Sequence, residues 1–166
     1  METESKHKTT LVVCLRGVPG SGKSTLAKEL ERELGFTRIS SDELGLKAWK
    51  KPLKEAIERG DKKIVIDRCH STHRQRMHLV RTLAPYKDQI ETAITTLPEI
   101  PFKELERRIR EDVGHTYGVG TRLIALKSHS KDRQNDKISM RLEGWNHFIK
   151  LDSNSLEEMI ENLERL

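Results

Sequence analysis

The residues with the clearest chemical signature lie near the start of the chain, where residues 17–25 read GVPGSGKST. This segment fits the phosphate-binding pattern G-x-x-x-x-G-K-[ST] at every position. Its glycines let consecutive backbone N–H groups face one anion, and its lysine can bridge the β- and γ-phosphates. The next hydroxyl, of Ser24, can coordinate Mg²⁺. The predicted binding residues for a nucleoside triphosphate, ATP or GTP, are Gly17, Gly20, Ser21, Gly22, Lys23, Ser24 and Thr25.

Two aspartates follow predicted strands at places where they can complete a phosphotransfer site. Transfer to a hydroxyl group needs a carboxylate near the acceptor oxygen, a metal on the phosphate oxygens and positive charge over the transferred group. Asp42 comes just after the second predicted strand, and Asp67 ends the third. We predict that Asp42 accepts the proton of the substrate hydroxyl group and that Asp67 holds Mg²⁺ or its water. The alternatives are a helix N-cap for Asp42 and a turn for Asp67.

Positive charge over the phosphates is expected from a helix with three arginines, which precedes a glycine-spaced segment at residues 114–120. Such a helix and loop can close over the nucleotide as a lid. Arg107 and Arg110 are three residues apart and share a face, so we rank them ahead of Arg108 as catalytic residues. The alternative is an exposed helix face, because three glutamates in the same segment can pair with these arginines.

The elements that must position these groups alternate between strand and helix. Short apolar runs predict strands, whose residues are 11–15, 36–39, 64–66, 90–97 and 148–151. Apolar residues at helical spacing predict helices, whose residues are 26–34, 53–57, 72–83, 102–112, 121–128 and 156–163. Gly35 is expected to end the first helix, and Ser155 with Glu158 to cap the last. The alternation predicts an α/β fold with a mostly parallel sheet covered on both sides.

Length and composition limit the class of protein. The chain has 166 residues, of which 34% are hydrophobic and 34% charged, and this suffices for one domain with a core. We expect residues 1–8 to be a flexible tail and residues 9–166 to form a single domain. No apolar run approaches the roughly 20 residues that span a bilayer, so no membrane partner is expected. With two cysteines and no signal-like start, a cytoplasmic or nuclear, non-secreted protein is expected.

The net charge of +5 is distributed unevenly along the chain. Residues 68–87 include five basic residues, three histidines and no acidic residue. Residues 103–141 include ten basic and six acidic residues, whereas residues 142–166 include two basic and six acidic ones. If the basic stretches flank a phosphate site, they favour a polyanionic substrate; otherwise they are exposed helix faces.

The motifs together resemble the 5′-hydroxyl polynucleotide kinase family of P-loop phosphotransferases. The resemblance rests on residues 17–25, on SDELG at residues 41–45, on IVIDRCHST at residues 64–72 and on LEGW at residues 142–145. It extends to the kinase modules of polynucleotide kinase-phosphatases, of plant aprataxin-fused kinases and of fungal tRNA ligases.

This resemblance implies a P-loop kinase-type three-layer α/β sandwich with a helical lid. It also implies transfer of the γ-phosphate to the 5′-OH end of DNA or RNA, in nucleic-acid repair or RNA processing. Asp42 would be the general base, and Arg107 or Arg110 would contact the nucleotide phosphates. Lys47 is the basic residue nearest to the place where the phage enzyme binds a substrate phosphate. The expected substrate-binding residues are Lys47, Asp67, Arg68 and Arg74.

Two other functions fit the same residues. One is a small-molecule kinase of the nucleoside, gluconate or adenylylsulfate kind. The other is a nucleotide-gated nucleic-acid-binding module that transfers nothing, although such a module does not need a general base.

Overall fold

The centre of the molecule is a five-stranded parallel sheet. The computed structural model describes residues 10–44, 48–112 and 117–166, without the side chains of residues 42, 43, 134 and 135. The strands are β1 (Thr10–Arg16), β2 (Thr37–Ser40), β3 (Lys63–Asp67), β4 (Ile90–Thr96) and β5 (His147–Lys150). Their spatial order is β2-β3-β1-β4-β5, and every neighbouring pair is parallel. The predicted parallel α/β sheet is therefore confirmed.

The described helices connect and cover these strands. They are α1 (Lys23–Leu34), α2 (Ser41–Leu44), α3 (Lys50–Glu58), α4 (His73–Leu83), α5 (Phe102–Glu111), α6 (Val119–Asn135), α7 (Met140–Glu143) and α8 (Leu156–Glu164). A 3-10 turn at Ala84–Tyr86 follows α4. All six predicted helices are present, but α6 is longer than expected. The sequence did not predict α2 and α7, because one turn of helix is too short to show a hydrophobic period.

Two apolar clusters lie on opposite faces of the sheet and give the fold its three layers. On one face, α1 and α8 pack on β1 and β4 through residues such as Leu26, Leu30 and Met159. On the other, α3 and α4 pack on the sheet through residues such as Leu53 and Leu79. Strands buried on both faces need apolar residues at consecutive positions, which explains the unbroken apolar runs in the sequence.

Local signals fix several helix ends. Gly35 ends α1 with a φ of 71°, and its N–H donates to the Leu30 carbonyl. Ser155 caps α8 by accepting from the Glu158 N–H at 3.2 Å, as predicted. The Glu158 carboxylate instead accepts from the Asp152 and Ser153 N–H groups, so this end of α8 holds the loop after β5.

One buried arginine ties α4 to the segments around α7. Arg76 is fully buried, and its Nε donates to Glu143 Oε1 at 2.7 Å. Its Nη1 donates to the carbonyls of His70 and Ser71, and its Nη2 donates to Asp136 Oδ1 at 2.8 Å. Arg76 therefore does not contribute to an exposed basic surface, although it lies within the basic stretch at residues 68–87.

A third apolar cluster joins α5 and α6 to the loop after β1. Leu105 and Ile109 of α5 meet Leu126 of α6 and Val18 of the loop. The helical lid expected over the phosphate site thus corresponds to α5 and α6. Residues 1–8, expected as a tail, lie outside the described residues. None of the described helices is long and apolar enough to cross a bilayer.

Candidate active site

The loop between β1 and α1 has the backbone conformation that its glycines allow. Gly20 has a φ of 83° and Gly22 a φ of 91°, in the left-handed region that disfavours side chains. A Cβ on Gly20 would stand 3.1 Å from the Leu105 carbonyl, and one on Gly22 would clash with the Asn154 side chain. Gly22 directly precedes α1, so the N-terminus of that helix opens onto the loop. The loop is therefore built to receive an anion.

Two cations flank one buried carboxylate beside this loop. Asp67 ends β3, pairs in register with Leu15 of β1 and Ser40 of β2, and is 2% exposed. Its Oδ1 lies 3.6 Å from Lys23 Nζ, and its Oδ2 lies 3.8 Å from Arg38 Nη1. Parallel strands deliver their carboxyl ends to one edge, so this carboxylate and the loop lysine meet there.

The same carboxylate fits a magnesium site. Both oxygens of Asp67 are buried and accept no hydrogen bond from the described residues. Carboxylate oxygen is a preferred Mg²⁺ ligand, and a magnesium ion or its water would use these lone pairs. Ser24, in the first turn of α1, lines the neighbouring cavity with Lys23. The residues present therefore suit the metal that the fold implies.

A cavity of about 630 Å³ lies between the loop, the two lid helices and the loop after β5. Its positive side chains come from three elements, Lys23 of α1, Arg108 of α5 and Arg122 of α6. Asn154 closes the cavity from the segment between β5 and α8. The volume lies in the range of small-ligand pockets, about 300–1,000 Å³. A nucleotide with its phosphates at the loop can be held here.

The structure places the lid arginines differently from the prediction, which ranked Arg107 and Arg110 ahead of Arg108. Arg107 pairs with Glu104 and Glu111 on the outer face of α5, and Arg110 reaches toward Glu106 at 3.8 Å. Arg108 instead lines the cavity, and its Nη1 donates to the Gly20 carbonyl at 3.2 Å.

The periodicity of α5 could have corrected that ranking. Leu105 and Ile109 mark the buried side of the helix. At about 100° per residue, Arg107 falls opposite this side, whereas Arg108 falls next to it.

Arg122 is a site residue that the sequence reasoning missed. It is 8% exposed and lines the cavity from α6. Its Nη2 donates to the Asp112 carbonyl at 2.6 Å, and its Nη1 meets Asp112 Oδ2 at 3.2 Å. It thereby joins the end of α5 to α6. The sequence carried no local signal for this contact, because the two residues belong to different helices.

Cys69 and His129 form a second feature that was missed. Both line the cavity, and the Cys69 carbonyl accepts from the Gly17 N–H at 3.2 Å. Hydrogen bonding to Cys69 raises the pKa of His129, against the effects of burial and of Lys23. His129 Nδ1 also lies 2.9 Å from Ser71 Oγ. These contacts hold the loop after β3 against α6, directly beside the phosphate loop.

The remaining predicted residues belong to the stretch of sequence from α2 to α4. Asp42 is the second residue of α2 and thus lies inside the helix rather than at its N-cap; its side chain is outside the described part. Lys47 lies outside the described residues. The Arg68 guanidinium packs over the Trp49 ring at 4.6 Å, and Arg74 is exposed on α4. Neither arginine lines the nucleotide cavity.

The sheet, the glycine-rich loop and the lid define the class of fold as that of a P-loop kinase. Residues 12–52, from β1 through α2 to the start of α3, match the family model described as AAA domain. This match spans the loop and Asp42 and leaves the lid and β3 to β5 outside.

Two solved structures support the same fold. A gluconokinase from Sinorhizobium meliloti is 18% identical, with a TM-score of 0.54, over 95% of this chain and 93% of that chain. An uncharacterized protein from Eubacterium ventriosum is 16% identical, with a TM-score of 0.54, over 96% of this chain and 100% of that chain. No curated protein matches the sequence. At these identities the similarity establishes the fold.

Proposed function

We propose that the protein is a Mg²⁺-dependent kinase that moves the γ-phosphate of a nucleoside triphosphate to a hydroxyl group. The observation that carries this proposal is the pairing of Lys23 with the buried Asp67, 3.6 Å apart at the sheet edge beside the phosphate loop. A loop that only binds a nucleotide needs its lysine but no buried carboxylate beside it. A metal-dependent transfer also needs a carboxylate that can hold the metal, and Asp67 suits that role.

Each part of the proposed reaction is assigned to particular residues of the chain. Lys23 and the loop N–H groups hold the β- and γ-phosphates, while Arg108 and Arg122 supply positive charge from the lid side of the cavity. Asp67 and Ser24 would hold Mg²⁺, which neutralises charge on the phosphate oxygens when bound. Asp42, two residues after β2, takes the proton of the acceptor hydroxyl.

For the acceptor, we favour a small hydroxylated molecule. The solved structure named as a gluconokinase aligns with 95% of this chain and shares its fold. By its name that protein is a small-molecule kinase. This assignment supports the class of acceptor and leaves its identity to experiment.

A polynucleotide 5′-OH end is the second candidate, and one surface favours it. Burial and then the positive charges of Lys50, Arg68, Arg81 and Arg74 lower the pKa of His78. Lys50 of α3 and the exposed Arg74 and Arg81 of α4 therefore lie near one another and give these two helices a basic surface. Neutralising phosphates with such a surface releases counterions and strengthens binding to a polyanion.

The deciding experiment measures transfer of labelled γ-phosphate from ATP and from GTP, with Mg²⁺, to a panel of acceptors. The panel contains sugar acids, nucleosides, and 5′-OH DNA and RNA oligonucleotides. We expect label on one acceptor class, and at least a hundredfold loss in Lys23→Ala. Lys28→Ala, an exposed lysine on the same helix, is the matched control. If no acceptor is labelled although the triphosphate binds, the proposed kinase activity is wrong.

Two variants separate the acceptor classes and test the base. Arg74→Glu with Arg81→Glu should weaken binding of an oligonucleotide acceptor and reduce the slope of its salt dependence, but leave binding of a small acceptor unchanged. Asp42→Ala should abolish transfer while preserving triphosphate binding. Loss of triphosphate binding in that variant would contradict the role of Asp42 as base.

A further inference from the structure

A second cavity, distinct from the nucleotide cavity, lies at the carboxyl ends of β4 and β5. Its volume is about 840 Å³, and it shares no lining residue with the cavity at the phosphate loop. It is bounded by the last residues of these strands and by the segment that follows α6. Its size is that of a small-ligand site, about 300–1,000 Å³.

Positive side chains dominate the polar lining of this second cavity. Its cations are Arg16, Arg133, Lys137 and Lys150, and its acidic residues are Glu99 and Asp152. The lining therefore carries a formal surplus of two positive charges. An anionic ligand would meet a favourable potential there.

Arg16 contributes a buried positive charge to this surplus. It is 7% exposed, and its Nη2 donates to the Asp136 carbonyl at 2.7 Å. Its Nε is buried and donates to no described residue, and the buried Thr96 Oγ1 beside the cavity likewise has no partner among them. Burial, and then the charges of Arg76 and Arg133, lower the pKa of Arg16 to about 10. A buried, incompletely paired guanidinium is stabilised by an added anion.

The rest of the lining is apolar. Ile138, Met140, Leu97 and Leu151 contribute to it, and Phe148 stands 46% exposed at its edge. An inorganic anion would leave this surface in contact with water, whereas an organic ligand would cover it.

We propose that the second cavity binds a small organic anion, with its acidic group against Arg16 and Arg133 and its apolar body on Met140 and Phe148. The inference does not depend on the proposed kinase activity, because it uses none of the residues of the phosphate loop. Carboxylates and phosphate monoesters share the required chemistry.

The test is an amide chemical-shift titration of the full chain with phenyl phosphate and, separately, with benzoate. Mg²⁺ and ADP are present throughout, so that the phosphate loop is filled. We expect shifts at residues 96–99 and 148–152 but not at residues 17–25. The tighter of the two probes identifies the acidic group. Inorganic phosphate alone should bind at least tenfold more weakly than phenyl phosphate.

Three variants locate the binding. Lys150→Glu and Phe148→Ser, both at exposed positions of β5, should each weaken the tighter probe at least tenfold. Lys131→Glu is the matched charge reversal, exposed on α6 and outside the cavity lining. Amide dispersion confirms that each variant is folded. The proposal is overturned if neither probe binds, if the shifts fall at residues 17–25, or if both β5 variants bind like Lys131→Glu.

Discussion

Among single residues, the two cysteines differ most clearly in what surrounds them. Cys14 is completely buried in the sheet, and burial raises the pKa of its thiol far above the usual range. Cys69 lines the nucleotide cavity beside Lys23. We expect a thiol reagent such as DTNB to label Cys69 alone in the native protein, and Mg²⁺ with ATP to slow that labelling tenfold or more. Mass spectrometry identifies the labelled cysteine, and Cys69→Ser should show no fast reaction. Labelling of Cys14 in the folded chain would contradict this prediction.

His70 predicts how stability depends on pH. It is 1% exposed, its Nδ1 lies 2.7 Å from the Leu15 carbonyl, and burial lowers its pKa from 6.5 to about 3. Between these values the unfolded chain binds a proton that the folded chain does not, so stability falls as the pH drops from 6.5 toward 3.

Urea unfolding at several pH values measures this effect. His70→Asn should flatten the pH dependence, because asparagine does not titrate and tolerates the positive φ of 49° at this position. His78→Asn, at an exposed histidine on α4, is the control and should keep most of the wild-type slope. An unchanged slope in His70→Asn would show that other groups cause the acid sensitivity.

At the scale of elements, the part of the site that is local in sequence could be predicted. The strand, the loop and α1 follow one another, so an apolar run, a glycine pattern and a leucine spacing sufficed to place Lys23. The position of Asp67 could also be predicted from the sequence, because the carboxyl ends of parallel strands meet at one edge of the sheet. Both residues lie where the sequence predicted, and their catalytic roles stay predictions.

The lid could be predicted only in outline. The partners of Arg122 and His129 lie on other elements, and nothing near either residue in sequence specifies those contacts. The length of α6 was also underestimated, because polar residues fill its second half and leave no continuous apolar stripe. Tertiary packing, not local propensity, holds these residues.

The network around Glu143 gives a prediction for the elements that it joins. Glu143 is 1% exposed, and it accepts from Arg76 of α4 and from the Trp145 indole. Burial alone would raise its pKa, but hydrogen bonds from Arg76, Trp145, the Ser139 N–H and His73 lower it to about 2.

The stability that this carboxylate contributes is therefore present above its unfolded pKa of 4.5 and lost as the pH falls toward 2. Its size is on the order of 3 kcal/mol. Glu143→Gln should lower the free energy of unfolding at pH 7 by a similar amount and lose the acid dependence in that window. Glu104→Gln is the control: its pKa is also lowered to about 2, through Arg107 and Arg108, but it lies at the surface. An equal loss in both variants would show that burial of the network does not matter.

For the whole molecule, the phosphate loop joins the two apolar clusters of the sheet to the third cluster in the lid. Val13 and Leu15 of β1 belong to one sheet cluster, whereas Val18 of the loop packs with Leu105 and Leu126 of the lid. The cavity between them is lined by residues of α1, α5 and α6, so a nucleotide bound there would contact all three helices. Binding should therefore stabilise the molecule as a unit rather than the loop alone.

Thermal unfolding tests this expectation. Mg²⁺ with ATP at 100 times its Kd should add about 2.7 kcal/mol, which raises the Tm by about 5–10 °C in a chain of this size. Lys23→Ala should lose most of the shift, whereas Lys28→Ala should keep it. Asp42→Ala should also keep the full shift, because the proposed base acts on the acceptor and not on the donor. A full shift in Lys23→Ala would mean that the nucleotide binds away from the loop; a lost shift in Asp42→Ala would mean that α2 takes part in donor binding.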